Sequence, residues 1–203
     1  MDHTLLIYGP TLTAEQIERI VDDAVQNGAL AIYLQEIDVV RLDPALRSGM
    51  LASLPFAGLL EEQLIFLRRQ AEALGCRRFT FALPAGRVRD GQFDQVRSLL
   101  SSIQEGSQLD LVVTIVLADI SGERLRETID LCLSAGIERI CLGTGTKLDS
   151  VTDDAIAIAL ECYRAQGLDT KLLEVAVDDR RSPDDRFTSR FCISDAVQPS
   201  GTY

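Results

Sequence analysis

At 203 residues the chain has room for one domain with a sizeable core and little room for two. Hydrophobic residues make up 46% and charged residues 25%, which excludes long disorder and collagen-like repeats. The formal net charge of −11 disfavours a nucleic-acid partner, because phosphate binding needs clustered Lys and Arg.

No stretch approaches the ~18–20 uninterrupted apolar residues of a membrane span. Met1-Asp2-His3-Thr4 carries an acid where a secretory signal would be basic. A soluble, cytoplasmic protein without a membrane partner is expected. The 20 basic residues include only two lysines, Lys147 and Lys171, so amine chemistry has two side chains to draw on. Cys76, Cys132, Cys141, Cys162 and Cys192 are scattered and show no C-x-x-C pair, which argues against a disulfide framework or a zinc site.

In chain order, short apolar runs of strand type alternate with amphipathic stretches. The first strand is Thr4–Tyr8. A helix follows over Thr13–Asn27, with Ile17, Ile20, Val21, Ala24 and Val25 on one face and a capping box from Thr13 and Gln16. Strands are expected at Leu30–Gln35, Met50–Leu54, Arg78–Leu83, Leu111–Leu117, Arg139–Leu142 and Lys171–Val177. Helices are expected at Leu59–Leu74, Phe93–Ile103, Glu123–Ala135 and Asp153–Gln166. Gly75, Gly136 and Gly167 follow helix ends, where a left-handed residue is often required.

Repeated βα units demand a parallel sheet. No G-x-G-x-x-G follows the first strand, which favours a closed (β/α)8 TIM barrel over a dinucleotide-binding sheet. The pattern weakens near the C-terminus: Asp178–Arg190 has no apolar helical face, and Phe191–Ser194 reads as a short eighth strand. The expectation is a single α/β barrel domain over 1–195, abbreviated at its closing units, with a tail over 196–203. Such a barrel would expose strand edges and favour a homo-oligomer.

Asp2-His3-Thr4-Leu5-Leu6, followed by Thr11–Ile17, resembles the opening of the deoxyribose-phosphate aldolase family, an Asp-His-Thr-Leu-Leu strand and a Thr-x-Glu-x-Ile helix. Met50–Gly58, ending Leu54-Pro55-Phe56-Ala57-Gly58, is similar to that family's third strand. Gly86–Gln95 is similar to its loop after strand four, and Ile140–Gly145 sits where the family has Val-Lys-Thr-Ser-Thr-Gly. The likeness covers roughly residues 1–178 and implies an aldolase barrel working through a lysine Schiff base.

The same likeness shows what is missing. The Schiff-base lysine position is Cys141, the second lysine falls at Glu174, and the strand-four aspartate falls at Thr80. The phosphate-binding Gly-Gly corresponds to Val177-Asp178. A thiol cannot form an iminium, so the family's ordinary reaction is not expected.

In βα barrels the functional side chains sit at the C-terminal ends of strands and in the following loops. That rule nominates Tyr8, Gln35, Glu36, Pro55, Pro84, Asp119, Thr144, Glu174, Asp178 and Asp195. Glu174 interrupts a strand expected to be apolar, so its carboxylate must be ion-paired, neutral or lining a cavity. Cys141 is either a small core residue or a thiolate nucleophile needing a nearby base or cation, and the single histidine, His3, reads as structural. Asp119 is a helix cap or an acid at the mouth. Gly143-Thr144-Gly145-Thr146 is a small-residue turn able to cradle an anion, although the acids around it suit a neutral or amine-bearing ligand better. No metal or cofactor is implied.

Three functions follow. The first is a lyase, isomerase or cyclase acting on a small carbonyl compound by acid–base chemistry. Its catalytic set would be Glu174, Cys141, Thr80, Asp178 and Asp119, and its substrate contacts Thr144, Gly143, Gly145, Lys147 and Glu36. The second is a non-catalytic homologue that binds a metabolite or a protein. The third is a residual Schiff-base aldolase using Lys147.

Overall fold

The computed structural model describes residues 3–7, 12–34, 50–54, 60–144, 151–177 and 185–193. Eight strands form a closed parallel barrel: β1 His3–Ile7, β2 Ala31–Leu34, β3 Met50–Leu54, β4 Arg78–Ala82, β5 Asp110–Ile115, β6 Arg139–Leu142, β7 Leu173–Val177 and β8 Thr188–Ile193. The described helices are α1 Ala14–Gln26, α2 Glu61–Ala73, α3 Ala85–Arg89, α4 Phe93–Gln104, α5 Gly122–Ser134 and α6 Asp153–Ala165. Among the described residues, no helix is long and apolar enough to cross a membrane.

Strand alternation separates two interiors. Leu5, Ile7, Phe79, Phe81, Val113, Ile115, Ile140, Leu142, Leu173 and Val175 face outward. They meet Ile17 and Val21 of α1, Leu64 of α2, Leu99 and Leu100 of α4, Leu125 and Ile129 of α5 and Leu160 of α6 in one apolar core. Thr4, Tyr33, Thr80, Thr114, Cys141, Glu174 and Arg190 alternate with these residues and face the lumen, where all are buried.

The helices start and stop on the expected local chemistry. Gln16 N–H donates to Thr13 Oγ1 at 3.3 Å and Thr13 N–H donates to Gln16 Oε1 at 2.8 Å, closing the capping box. Gly75, Gly136 and Gly167 have φ of 77°, 81° and 68°, the left-handed values a helix exit needs and a Cβ would strain.

Four expectations need correction. β8 begins at Thr188, earlier than Phe191, because Thr188 and Arg190 turn their polar side chains into the barrel, where an apolar signal gives no warning. β8 pairs with β1 over five positions and with β7 over four, so the barrel closes and the expected free edges are absent. The abbreviation itself is real: residues 178–187, between β7 and β8, form the shortest connection between neighbouring strands. Lys171 belongs to a 3₁₀ turn, Thr170–Leu172, ahead of β7. Finally, the segment after β4 contains the short helix α3, which the Gly-containing sequence had presented as loop.

Thr152 caps α6 by accepting the Ala155 N–H at 3.2 Å. Thr152→Ala is expected to cost about 1 kcal/mol, read as a lower urea midpoint at unchanged slope.

Candidate functional site

The lumen at the level of the nominated residues is occupied by a buried ion pair. Glu174 on β7 is 1% exposed and Arg190 on β8 is 2% exposed. Arg190 Nε donates to Glu174 Oε2 at 2.8 Å. Arg190 Nη2 lies 2.6 Å from the same oxygen, a close ion-pair contact but off the line a hydrogen bond requires.

The carboxylate receives two further donors from across the barrel. Thr4 Oγ1 on β1 donates to Oε2 at 3.0 Å, and the Tyr33 hydroxyl on β2 donates to Oε1 at 2.6 Å. The Arg190 guanidinium stands 4.1 Å from the centroid of the Tyr33 ring, a cation–π contact in a desolvated setting. Its Nη1 donates to Thr114 Oγ1 at 3.5 Å, and Thr114 Oγ1 lies 3.4 Å from Thr80 Oγ1. Cys141 sits beside both groups in the sheet register, opposite Thr114 on one side and Glu174 on the other. Its Sγ–H points to the carbonyls of Gly143 and Leu142 at 3.5 and 3.9 Å.

The electrostatics follow from this packing. Burial pushes the Glu174 carboxyl up, but the Arg190 guanidinium and the hydrogen bonds from Tyr33, Arg190 and Thr4 outweigh it, so it lies below its ordinary 4.5. Burial works against the Arg190 charge, yet Cys141, Glu174 and Tyr33 together hold it well above its ordinary value. The Tyr33 phenol is pushed up, first by burial and then by the Glu174 charge.

The structure therefore brings together three of the nominated catalytic residues, Glu174, Cys141 and Thr80, within one lumen layer system. It resolves Glu174 as an ion-paired residue and Cys141 as a buried one. Asp119 lies apart, in the turn after β5, with φ 58°. It is not the helix cap: Ser121 caps α5 by accepting the Arg124 N–H at 3.3 Å. Thr144 is buried at the end of β6, and Gly143 donates its N–H to the Ile115 carbonyl at 2.9 Å. Pro84 caps α3. His3 faces the opposite side of β1 from Thr4 and meets the Phe191 ring at 6.0 Å, so it does not pair with Cys141. Glu36, Gly145, Lys147 and Asp178 lie outside the described residues, as do Tyr8, Gln35, Pro55, Asp195 and the tail over 196–203.

Sequence reasoning missed Arg190 and Tyr33. The available signal was partial: a buried Glu174 requires a cation, but Arg190 lies ahead of the expected Phe191–Ser194 strand and only the structure sets it on β8. Among the described residues, no three His, Cys, Asp or Glu side chains converge as metal ligands.

The class defined by this architecture is the aldolase-like (β/α)8 barrel. No family model and no curated protein matches the sequence. Solved structures do match in fold. An aldolase called QR15 is 15% identical at a TM-score of 0.73, covering 93% of this chain and 89% of that one. The deoxyribose phosphate aldolase of Aeropyrum pernix, a tetramer, is 14% identical at 0.69, covering 86% and 74%. A phosphonopyruvate hydrolase is more distant, 10% identical at 0.62, covering 96% and 76%. The chain has the fold of the deoxyribose-phosphate aldolases.

Glu174→Ala leaves a buried guanidinium without its counterion and is expected to cost about 3–5 kcal/mol, whereas Glu174→Leu with Arg190→Met is expected to be near neutral in the same chemical melt. The lowered Glu174 carboxyl contributes stability that is present above pH 4.5 and is lost as the pH falls through its folded value. Burial also raises the phenol of Tyr163, which donates to the Glu138 carbonyl at 2.6 Å. At least two of the four tyrosines should therefore resist ionisation through pH 10 until the chain unfolds, as read by ultraviolet difference titration.

Proposed function

We propose that this chain keeps the aldolase-like barrel as a scaffold, performs no chemistry at the barrel centre, and acts as a non-catalytic homologue that binds a metabolite or protein at the C-terminal mouth. The observation supporting this reading is the enclosure of Glu174. Both carboxylate oxygens are occupied by Thr4, Tyr33 and Arg190, and solvent does not reach them. A general base needs a free lone pair and a pKa near the working pH. Glu174 has neither. Cys141 cannot form an iminium, and the cation beside it is a guanidinium, which stays protonated and does not act as an amine nucleophile.

A second reading has one observation in its favour. Asp119 holds a left-handed backbone conformation at the C-terminal end of β5 without capping the next helix, and such conformations concentrate at functional sites. On that reading the chain is a lyase, isomerase or cyclase for a small carbonyl compound. Asp119 and Asp178 would be its acid–base pair, with Thr144, Gly143, Gly145, Lys147 and Glu36 around the ligand. The tetrameric state of the Aeropyrum pernix aldolase supports a homo-oligomer on either reading, and sedimentation as a strict monomer would remove that part.

The deciding experiment incubates the protein with a panel of small aldehydes and sugar phosphates, follows carbonyl turnover, and traps any imine with borohydride before mass spectrometry. The expected result is no turnover and no lysine adduct. Turnover lost in a folded Glu174→Gln variant would overturn the proposal. Turnover that survives Glu174→Gln and is lost in Asp119→Asn would select the second reading, and an adduct on Lys147 would revive Schiff-base catalysis.

A further inference from the structure

The opposite end of the lumen carries a cluster that this function does not use. Arg78, Asp110 and Arg139 open β4, β5 and β6, and all three occupy lumen-facing positions at the N-terminal mouth. Asp110 Oδ2 accepts Arg78 Nε at 2.9 Å and Arg139 Nε at 2.7 Å. Two guanidiniums thus share one oxygen of one carboxylate. Among the described residues neither forms an ion pair with a second acid. The adjacent Arg77 and Glu138 offset one another, so the cluster keeps a unit positive charge on a chain whose net charge is −11.

Asp110 ties β5 to β4 through Arg78 and to β6 through Arg139, one arginine for each neighbouring strand. Two of them add cation–cation repulsion in a site where Arg78 and Arg139 are only 20% and 23% exposed, so solvent screens it incompletely. Holding each guanidinium by Nε fixes its plane, and the terminal N–H groups not turned to the Tyr33 phenol form a fork, the geometry that takes two oxygens of one anion. Asp110, at 45% exposure, leaves the mouth open to solvent.

We propose that the N-terminal mouth of the barrel is a binding site for a small oxyanion, a phosphate monoester or a carboxylate, clamped between Arg78 and Arg139. The site is on the face opposite the C-terminal mouth and stands independently of the function proposed there. Arg78 also faces the Tyr33 phenol, so an anion bound there would sit one residue away from the Glu174–Arg190 network.

The test is calorimetric titration of the full chain with inorganic phosphate and, separately, with succinate, at ionic strength held constant with sodium chloride. Saturable binding of either is expected. Binding of phosphate alone assigns a phosphoryl ligand, binding of succinate alone a carboxylate, and binding of both a general oxyanion site. Arg139→Gln should weaken binding roughly tenfold or more, the worth of a charge-assisted contact. Asp110→Asn removes the competing carboxylate and should tighten binding roughly threefold to tenfold, the opposite sign to ordinary damage. Absence of saturable binding, or binding indifferent to both substitutions, overturns the proposal.

Discussion

The Glu174–Arg190 pair is the constraint around which the barrel is organised. Moving two charges into a lumen that water does not reach costs several kcal/mol per ion, on the order of what a whole domain has to spare. That cost is tolerable only if the charges meet and the remaining lone pairs are satisfied. Here the satisfaction comes from three other strands, through Thr4, Tyr33 and Thr114. One interaction therefore links β1, β2, β5, β7 and β8 across the lumen.

This explains how an abbreviated barrel closes. The connection before β8 is short, and β8 carries little apolar signal. Its two flanking ladders supply backbone hydrogen bonds, and Arg190 supplies the cation Glu174 requires. In the lumen Arg190 holds β8 by charge, and outside it Phe191, with Phe187 just ahead of the strand, packs with the apolar core.

The same interaction carries the functional consequence. An aldolase-like centre of this fold needs an unprotonated amine beside open space. Here Cys141 and Glu174 stand in the lumen, and the positive charge beside them is the Arg190 guanidinium on β8. A carboxylate hydrogen-bonded at both oxygens and shut away from solvent is fixed in place, which leaves it poorly set to take up a proton.

The alternation of strand and helix, the capping box at Thr13, the left-handed glycines after three helices and the absence of lysine at position 141 were all legible residue by residue. Each depends on local chemistry: side-chain period, a reachable N–H, a missing Cβ, a functional group that either is or is not an amine. The partner of Glu174 was not legible, since Arg190 lies in a segment whose charged residues look like a solvated connection. The same holds for the start of β8 and for Asp110 shared by two arginines. Those pairings exist because parallel strands bring distant residues into register and turn alternate side chains into one enclosed lumen. Burial then decides which charges must meet. The sequence by itself determined the barrel and the absence of an amine at position 141, and only the closed tertiary structure decided which polar residues meet.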